Sequence, residues 1–129
     1  MTLGNPNPKP CLFVGASRRE LQALPAEVQD EMGYALFEAQ CGGTPLSAKP
    51  LLGFGGRGVL EIVENFDGNT YRAVYTVRFA EAIYVLRAFQ KKSKKGIATP
   101  KTEIELIKAR LRTAEEDHRE RFTAGERRR

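Results

Sequence analysis

The sequence predicts an α+β domain: an antiparallel sheet, two helices from the N-terminal half and one helix from the C-terminal half. Three observations lead there. Residues 59–90 hold three consecutive strand-like runs separated by short links, the pattern of an antiparallel meander. Val28, Met32, Leu36 and Ala39 recur every three or four residues, as the buried stripe of a helix does. Ile104, Ile107, Leu111 and Ala114 repeat that spacing near the other end. With 129 residues, 41 % hydrophobic and 29 % charged, the chain suits a single domain, 1–129, able to bury a core of its own over about residues 10–123.

The elements follow in order. Cys11–Gly15 is a short apolar run and reads as a strand. Ser17-Arg-Arg-Glu20 has the form of a capping box, in which the Ser17 hydroxyl accepts from the Glu20 N–H. The helix it opens should break at Pro25, which then suits the first turn of a second helix ending at Gly42-Gly43. Residues 43–58 read as a loop rich in Gly and Pro. Its Gly53-Phe-Gly-Gly-Arg-Gly58 run lacks the spacing and the Lys-Ser/Thr ending of a phosphate-binding P-loop. Val59–Glu64 and Thr70–Phe79 form a hairpin with Asp67-Gly68 at its turn, and Ile83–Gln90 is the third strand. Thr99 is placed as N-cap of the last helix with Pro100 at its first position. The basic tail 124–129 should fray.

Composition narrows the chemistry. No apolar run reaches the roughly 18–20 residues of a membrane span, and no basic stretch followed by an apolar segment opens the chain. A cytoplasmic protein is expected, with Cys11 and Cys41 as unpaired thiols. One histidine, His118, speaks against a zinc site or a Ser-His-Asp triad; it is expected to be solvated on the polar face of the last helix. No metal or other cofactor is expected.

The charge is concentrated. Residues 67–101 hold eight Lys/Arg against two acids, whereas the whole chain has a net charge of +5. If all helices pack on one sheet face, the other face is open. Alternation puts Arg72, Val74, Thr76 and Arg78 on one side of the middle strand, and Tyr71, Ala73, Tyr75, Val77 and Phe79 on the core side. In the next strand Ile83, Val85, Arg87 and Phe89 share a face. Arg72 and Arg87 together would line a groove, with Lys91, Lys92, Lys94 and Lys95 as its rim. Guanidinium forks and ammonium point charges in one groove suit a polyphosphate backbone. RNA can be cut without metal, because its 2′-OH is a built-in nucleophile that needs alignment, charge neutralisation and a proton acceptor. Each residue also has a plainer reading. A Lys-Lys-Ser-Lys-Lys loop is commonly a solvated charge run, a lone strand arginine is commonly surface, and Tyr71, Tyr75 and Tyr84 fit the core.

The run from Tyr71-Arg72 through Tyr75, then Ile83-Tyr-Val-Leu-Arg-Ala-Phe-Gln-Lys-Lys-Ser-Lys-Lys95, then Thr99-Pro-Lys-Thr-Glu-Ile104, resembles the phage-derived HigB-type branch of the RelE/ParE toxin superfamily. The similarity covers about residues 47–112. It implies a compact RelE-like domain and the toxin of a type II toxin–antitoxin system. It implies an endoribonuclease that cuts mRNA on the ribosome, neutralised by a helix-turn-helix antitoxin of the HigA type. ParE relatives instead inhibit gyrase, and a basic RNA-binding module without catalysis is a third reading. Carried over residue by residue, Arg72 matches the arginine on the scissile phosphate and Lys92 a second basic catalytic position. Arg87 stands where this branch commonly has His, which removes one possible acid or base. The resulting assignment is Arg72, Arg87 and Lys92 as catalytic, with Lys49, Arg57, Arg78, Lys91, Lys94 and Lys95 on the RNA backbone.

Overall fold

The computed structural model describes residues 7–56, 58–91 and 99–123. Five strands form one sheet: β1 (Cys11–Phe13), β2 (Ala48–Pro50), β3 (Val59–Phe66), β4 (Asn69–Thr76) and β5 (Ile83–Lys91). Their order is β1-β5-β4-β3-β2. Only β1 runs parallel to its neighbour, β5; the other pairs are antiparallel. The helices are α1 (Ser17–Gln22), α2 (Ala26–Gln40) and α3 (Lys101–His118), which continues into a π-helical turn, Arg119–Thr123. The α+β class and the three-stranded meander are as the sequence predicts.

Periodicity explains most of the local structure. The β3–β4 hairpin closes over Asp67 and Gly68, both with positive φ (53° and 80°), the requirement of the tight turn that matches strand twist. The expected helical stripes are buried: Val28, Met32, Leu36 and Ala39 on α2, and Ile107, Leu111 and Ala114 on α3. β4 ends at Thr76, three residues earlier than its composition suggests. There the Thr76 hydroxyl donates to the Gly58 carbonyl (2.8 Å) and accepts from the Arg78 N–H (3.1 Å), turning the chain out of the ladder. β2 falls within the expected loop. Three residues ending in proline leave little pattern to read, and proline is tolerated because β2 is an edge strand.

The layering differs from the expectation. The helices do not share one face. α2 packs on one side, with Ile62, Tyr71, Ala73, Tyr75, Ile83 and Val85 beneath it. α3 packs on the other, over Val59, Val74, Tyr84, Leu86 and Phe89. The sheet is thus the middle of three layers, and the supposedly open face lies largely under α3. Both faces of β4 and β5 are buried over most of their length, and β5 opens as a continuous apolar run, Ile83–Leu86.

A register shift between Val74 and Tyr75 changes the second strand's faces. Arg87 pairs with Val74, whereas Val85 pairs with Tyr75, so Leu86 is the extra residue. Ile83 and Val85 therefore face α2, while Arg87 and Phe89 face α3. The strict alternation that grouped all four is corrected by this bulge.

Two capping assignments are also corrected. The Ser17 hydroxyl does not close a capping box; buried, it donates to the Val85 carbonyl (3.0 Å), while the Glu20 N–H bonds the Ala16 carbonyl. Thr99 does not cap α3, whose N-cap is Pro100. Long-range acceptors have taken both hydroxyls. Ser17→Ala is accordingly expected to cost about 1 kcal/mol, lowering the thermal midpoint by roughly 3–5 °C in a calorimetric melt.

His118 is not simply solvated. Its Nε2 lies 2.6 Å from Glu81 Oε1, and its ring stacks on Phe79 at 4.4 Å. Both cysteines are free. Burial, only partly offset by Arg18, pushes the Cys11 thiol up to about 11. The basic tail 124–129 lies outside the described residues.

Candidate functional site

Four charged side chains cross the sheet in one row on the α3 side. Lys49 of β2 pairs in register with Glu61 of β3. Arg72 of β4 sits opposite Val63, one diagonal step from Glu61. Lys91 of β5 sits opposite Thr70, one diagonal step from Arg72. Side chains two residues apart share a face, so the row Lys49–Glu61–Arg72–Lys91 follows from register alone.

The middle of the row is buried. Arg72 is 3 % exposed and Glu61 4 %. Arg72 Nη1 donates to Glu61 Oε1 at 2.7 Å, and the Thr99 hydroxyl donates to the same oxygen at 3.2 Å. The bonds Glu61 accepts from Arg72 and Thr99 thus both fall on Oε1. This placement corrects the picture of Arg72 as a residue lining an open groove: its charge is neutralised from below by a carboxylate on the neighbouring strand. Glu61 carries the site as much as Arg72 does. The sequence holds that carboxylate in view, but only the strand register shows that it meets Arg72.

Lys91 is another revision. It belongs to the row rather than to a rim, and is itself mostly buried. Burial, reinforced by the positive charges of Arg72 and Lys49 and opposed by Glu61, holds its ammonium below the ordinary lysine range. Lys49 remains exposed at the edge. Summed over its four members the row carries excess positive charge, with Lys49 as its solvent-facing end.

Two hollows flank the start of α3. One, of about 430 Å³, is lined by Lys49, Pro50, Leu51, Leu52, Glu61, Thr99 and Ile104. The other, of about 280 Å³, is lined by Arg87, Phe89, Gln90, Lys91, Pro100, Thr102 and Glu103. The row therefore reaches solvent on both sides of the Thr99-Pro100 segment. Apolar walls with a few convergent polar groups are the common make-up of a binding site.

The other predicted residues are elsewhere. Arg87 shares the α3 side with Arg72 but is committed to carboxylates. Its Nε and Nη2 donate to the two Glu103 oxygens (2.6 and 2.9 Å), and its Nη1 lies 2.9 Å from Glu20 Oε2. The Glu103 hydrogen bonds, outweighing burial, hold its guanidinium above even the usual arginine range. Arg110 completes the network, donating to both Glu20 oxygens and to the Leu86 carbonyl, each at 2.9 Å. β1 pairs with β5 only as far as Val85. Arg110 and Glu20 satisfy the β5 edge groups beyond it. Arg78 lies past the far end of β4, paired with Glu115, and joins no part of the row. Lys92, Lys94, Lys95 and Arg57 lie outside the described residues.

No tyrosine offers an acid or base to the row. Burial, with Glu38 adding to it, pushes Tyr75 up to about 12, and Tyr75 faces α2. Burial and a hydrogen bond to Asp117 raise Tyr84 further still. Among the described residues, no group of three or more His, Cys, Asp and Glu stands together to hold a metal ion, and no helix is long and apolar enough to cross a membrane.

A mixed α+β domain with a charged row across its sheet is the class defined by these features. The chain belongs to the phage-derived Gp49-like protein family, whose match covers residues 19–112. That span takes in every described member of the row and both hollows. Among solved structures, the toxin–antitoxin complex RelBE2 from Mycobacterium tuberculosis is similar at 20 % sequence identity and a TM-score of 0.47, over 65 % of this chain and 99 % of that one. No curated protein matches the chain in sequence.

Proposed function

We propose that this chain is the toxin of a type II toxin–antitoxin pair, a cytoplasmic endoribonuclease that cuts mRNA on the ribosome without a metal and so arrests translation and growth. The observation that carries the reading is the row Lys49–Glu61–Arg72–Lys91, which sets positive charge and one carboxylate side by side at the edge of two hollows. The motif resemblance to HigB-type toxins supports it, and implies a helix-turn-helix antitoxin of the HigA type as partner.

Each residue then has a role. Lys49 and Lys91 hold the scissile phosphate from its two sides. Arg72 supplies fixed positive charge beneath it, where little reorganisation is needed as charge develops. Glu61 is the carboxylate positioned to accept the proton of the attacking 2′-OH. Lys91, its ammonium already weakened, is the group able to return a proton to the departing 5′-oxygen. The bond formed is 2′-O to phosphorus and the bond broken is phosphorus to 5′-O, leaving a 2′,3′-cyclic phosphate and a 5′-hydroxyl. Pro50, Leu51, Leu52 and Ile104 form the apolar wall beside a flanking base. Lys92 keeps the catalytic assignment that the resemblance implies, stabilising the developing charge, and Lys94, Lys95 and Arg57 are assigned to the RNA backbone. Arg87 is assigned a positioning role, holding β5 and α3 together so that Lys91 is correctly placed. Arg78 is given no part in the reaction.

The test is cleavage of a translated message by the purified protein with ribosomes, reading both the position and the chemistry of the new ends. Lys91→Met is expected to slow cleavage about tenfold or more, the loss of one charged hydrogen bond in the transition state, with the melting curve little changed. A second reading is a non-enzymatic inhibitor of gyrase. The neutralisation of Arg72 by Glu61 favours it, because a paired guanidinium is a weaker phosphate ligand. Intact transcripts with a DNA-damage response would establish that reading instead.

A further inference from the structure

The side of the molecule away from the row carries a second feature that the proposed RNA chemistry does not use. Tyr34 and Phe37 of α2 are 73 % and 51 % exposed. They are three residues apart and so lie on one helix face. The same stripe carries Glu27, Asp30, Glu31 and Glu38, and α2 contains no Lys or Arg. A helix with four acids and no bases is unexpected on a protein of net charge +5.

Helix stability explains only part of this. Glu27 in the first turn suits the positive end of the helix dipole. Glu38 does not: it lies toward the negative end, where the last turn has no basic residue. At the other end of the stripe, Glu27 and Glu31 share a hollow of about 220 Å³ with Glu64 and Phe66 of β3. Burial, and then the charge of Glu31, raise the Glu64 carboxyl above its ordinary range. Like charges are crowded there around apolar surface. Exposed aromatics at helical spacing with charge around them are the form of a helix-docking face.

We propose that the outer face of α2 is a docking surface for a basic amphipathic helix of a partner protein. The partner's apolar side chains seat on Tyr34 and Phe37, and its lysines or arginines meet Glu27, Asp30, Glu31 and Glu38. Charge selects this occupant. A nucleic acid or an anionic membrane is repelled by four acids. A second copy of this chain, related by a two-fold axis, would set the acidic stripe against itself. The surface does not depend on RNA cleavage, so it stands or falls separately from that reading.

The full chain is titrated with two synthetic amphipathic helical peptides, one of leucine and lysine, the other of leucine and glutamate, while its amide chemical shifts are followed. The lysine peptide is expected to shift α2 resonances, to bind at least about tenfold more tightly than the glutamate peptide, and to weaken as salt is raised. Tyr34→Ala/Phe37→Ala should lower the affinity about tenfold or more, and so should Glu27→Gln/Glu31→Gln, both in protein whose melting curve shows it folded. Equal binding of the two peptides would overturn the proposal. So would shifts confined to the sheet row, unchanged affinity in both double variants, or self-association that disappears with Tyr34→Ala/Phe37→Ala.

Discussion

Glu61→Ala is expected to destabilise the fold by about 3–5 kcal/mol, the usual cost of removing one partner of a buried ion pair. Arg72 is 3 % exposed and its guanidinium cannot shed its proton to adapt. Removing the carboxylate leaves that charge in a place built for a neutral pair, and also takes away the acceptor of the Thr99 hydroxyl. Arg72→Met leaves the opposite charge stranded and should cost a similar amount. The double variant Arg72→Met/Glu61→Leu should recover most of the loss, since apolar replacement of a whole buried pair is often neutral or better. Urea melts of the four proteins make the cycle, and a Glu61→Ala protein that melts with the native one would show that the pair does not hold the fold. The double variant also separates structure from chemistry. Folded but lacking the centre of the row, it should neither cut mRNA nor arrest growth. Full toxicity in a folded double variant would remove Arg72 and Glu61 from the proposed mechanism.

The second large effect is at Glu20. One carboxylate accepts from Arg110 twice, from the Ala88 N–H at 3.3 Å, and pairs with Arg87. Glu20→Ala leaves two guanidinium groups and a sheet-edge amide short of an acceptor. A charged hydrogen bond contributes roughly 1.5–3 kcal/mol. Partial exposure screens this network, so a total loss of about 2–3 kcal/mol is expected, read by denaturant melting. The pH dependence follows in sign. Burial alone would raise the Glu20 carboxyl, but the Arg110 hydrogen bond, the Ala88 amide and the Arg87 charge outweigh it and hold it below its ordinary range. A carboxyl lowered in the folded state contributes stability that is complete above its unfolded pKa, about 4.3, and is lost as pH falls through the folded value. Asp117 adds in the same direction, held low chiefly by its hydrogen bond from Arg121. Stability should therefore decline below about pH 5, and Glu20→Gln should flatten that decline. An equally steep acid limb in Glu20→Gln would assign it to other groups.

Local pattern was a good guide wherever the governing force was local. The Asp67-Gly68 turn, the stripes of α2 and α3, and the split of β4 into two faces were all legible, because turn geometry and side-chain period act within a few residues. The site was legible in part. Lys49, Arg72 and Lys91 are visible in the sequence as cations on or near strands, but their charge does not say which side chains they meet. Glu61, a carboxylate on a strand, carries no label in the sequence saying which cation it faces, because that depends on strand register. Nothing in Ile-Tyr-Val-Leu-Arg announces the bulge at Leu86, so strict alternation places Arg87 with Ile83 and Val85.

By itself, then, the order of residues determined the elements, the hairpin, the apolar stripes and the concentration of charge in the second half of the chain, since each depends on spacing within a short window. Only the tertiary structure decided that α3 covers the sheet face assumed to be open, that Arg72 is buried against Glu61, and that Lys91 joins the row while Arg87 is tied to Glu20 and Glu103. The physical reason is common to all three. Burial and ion pairing depend on distance in space. A charge that looks free in the sequence is settled by whichever opposite charge, tens of residues away, the fold brings within hydrogen-bonding reach.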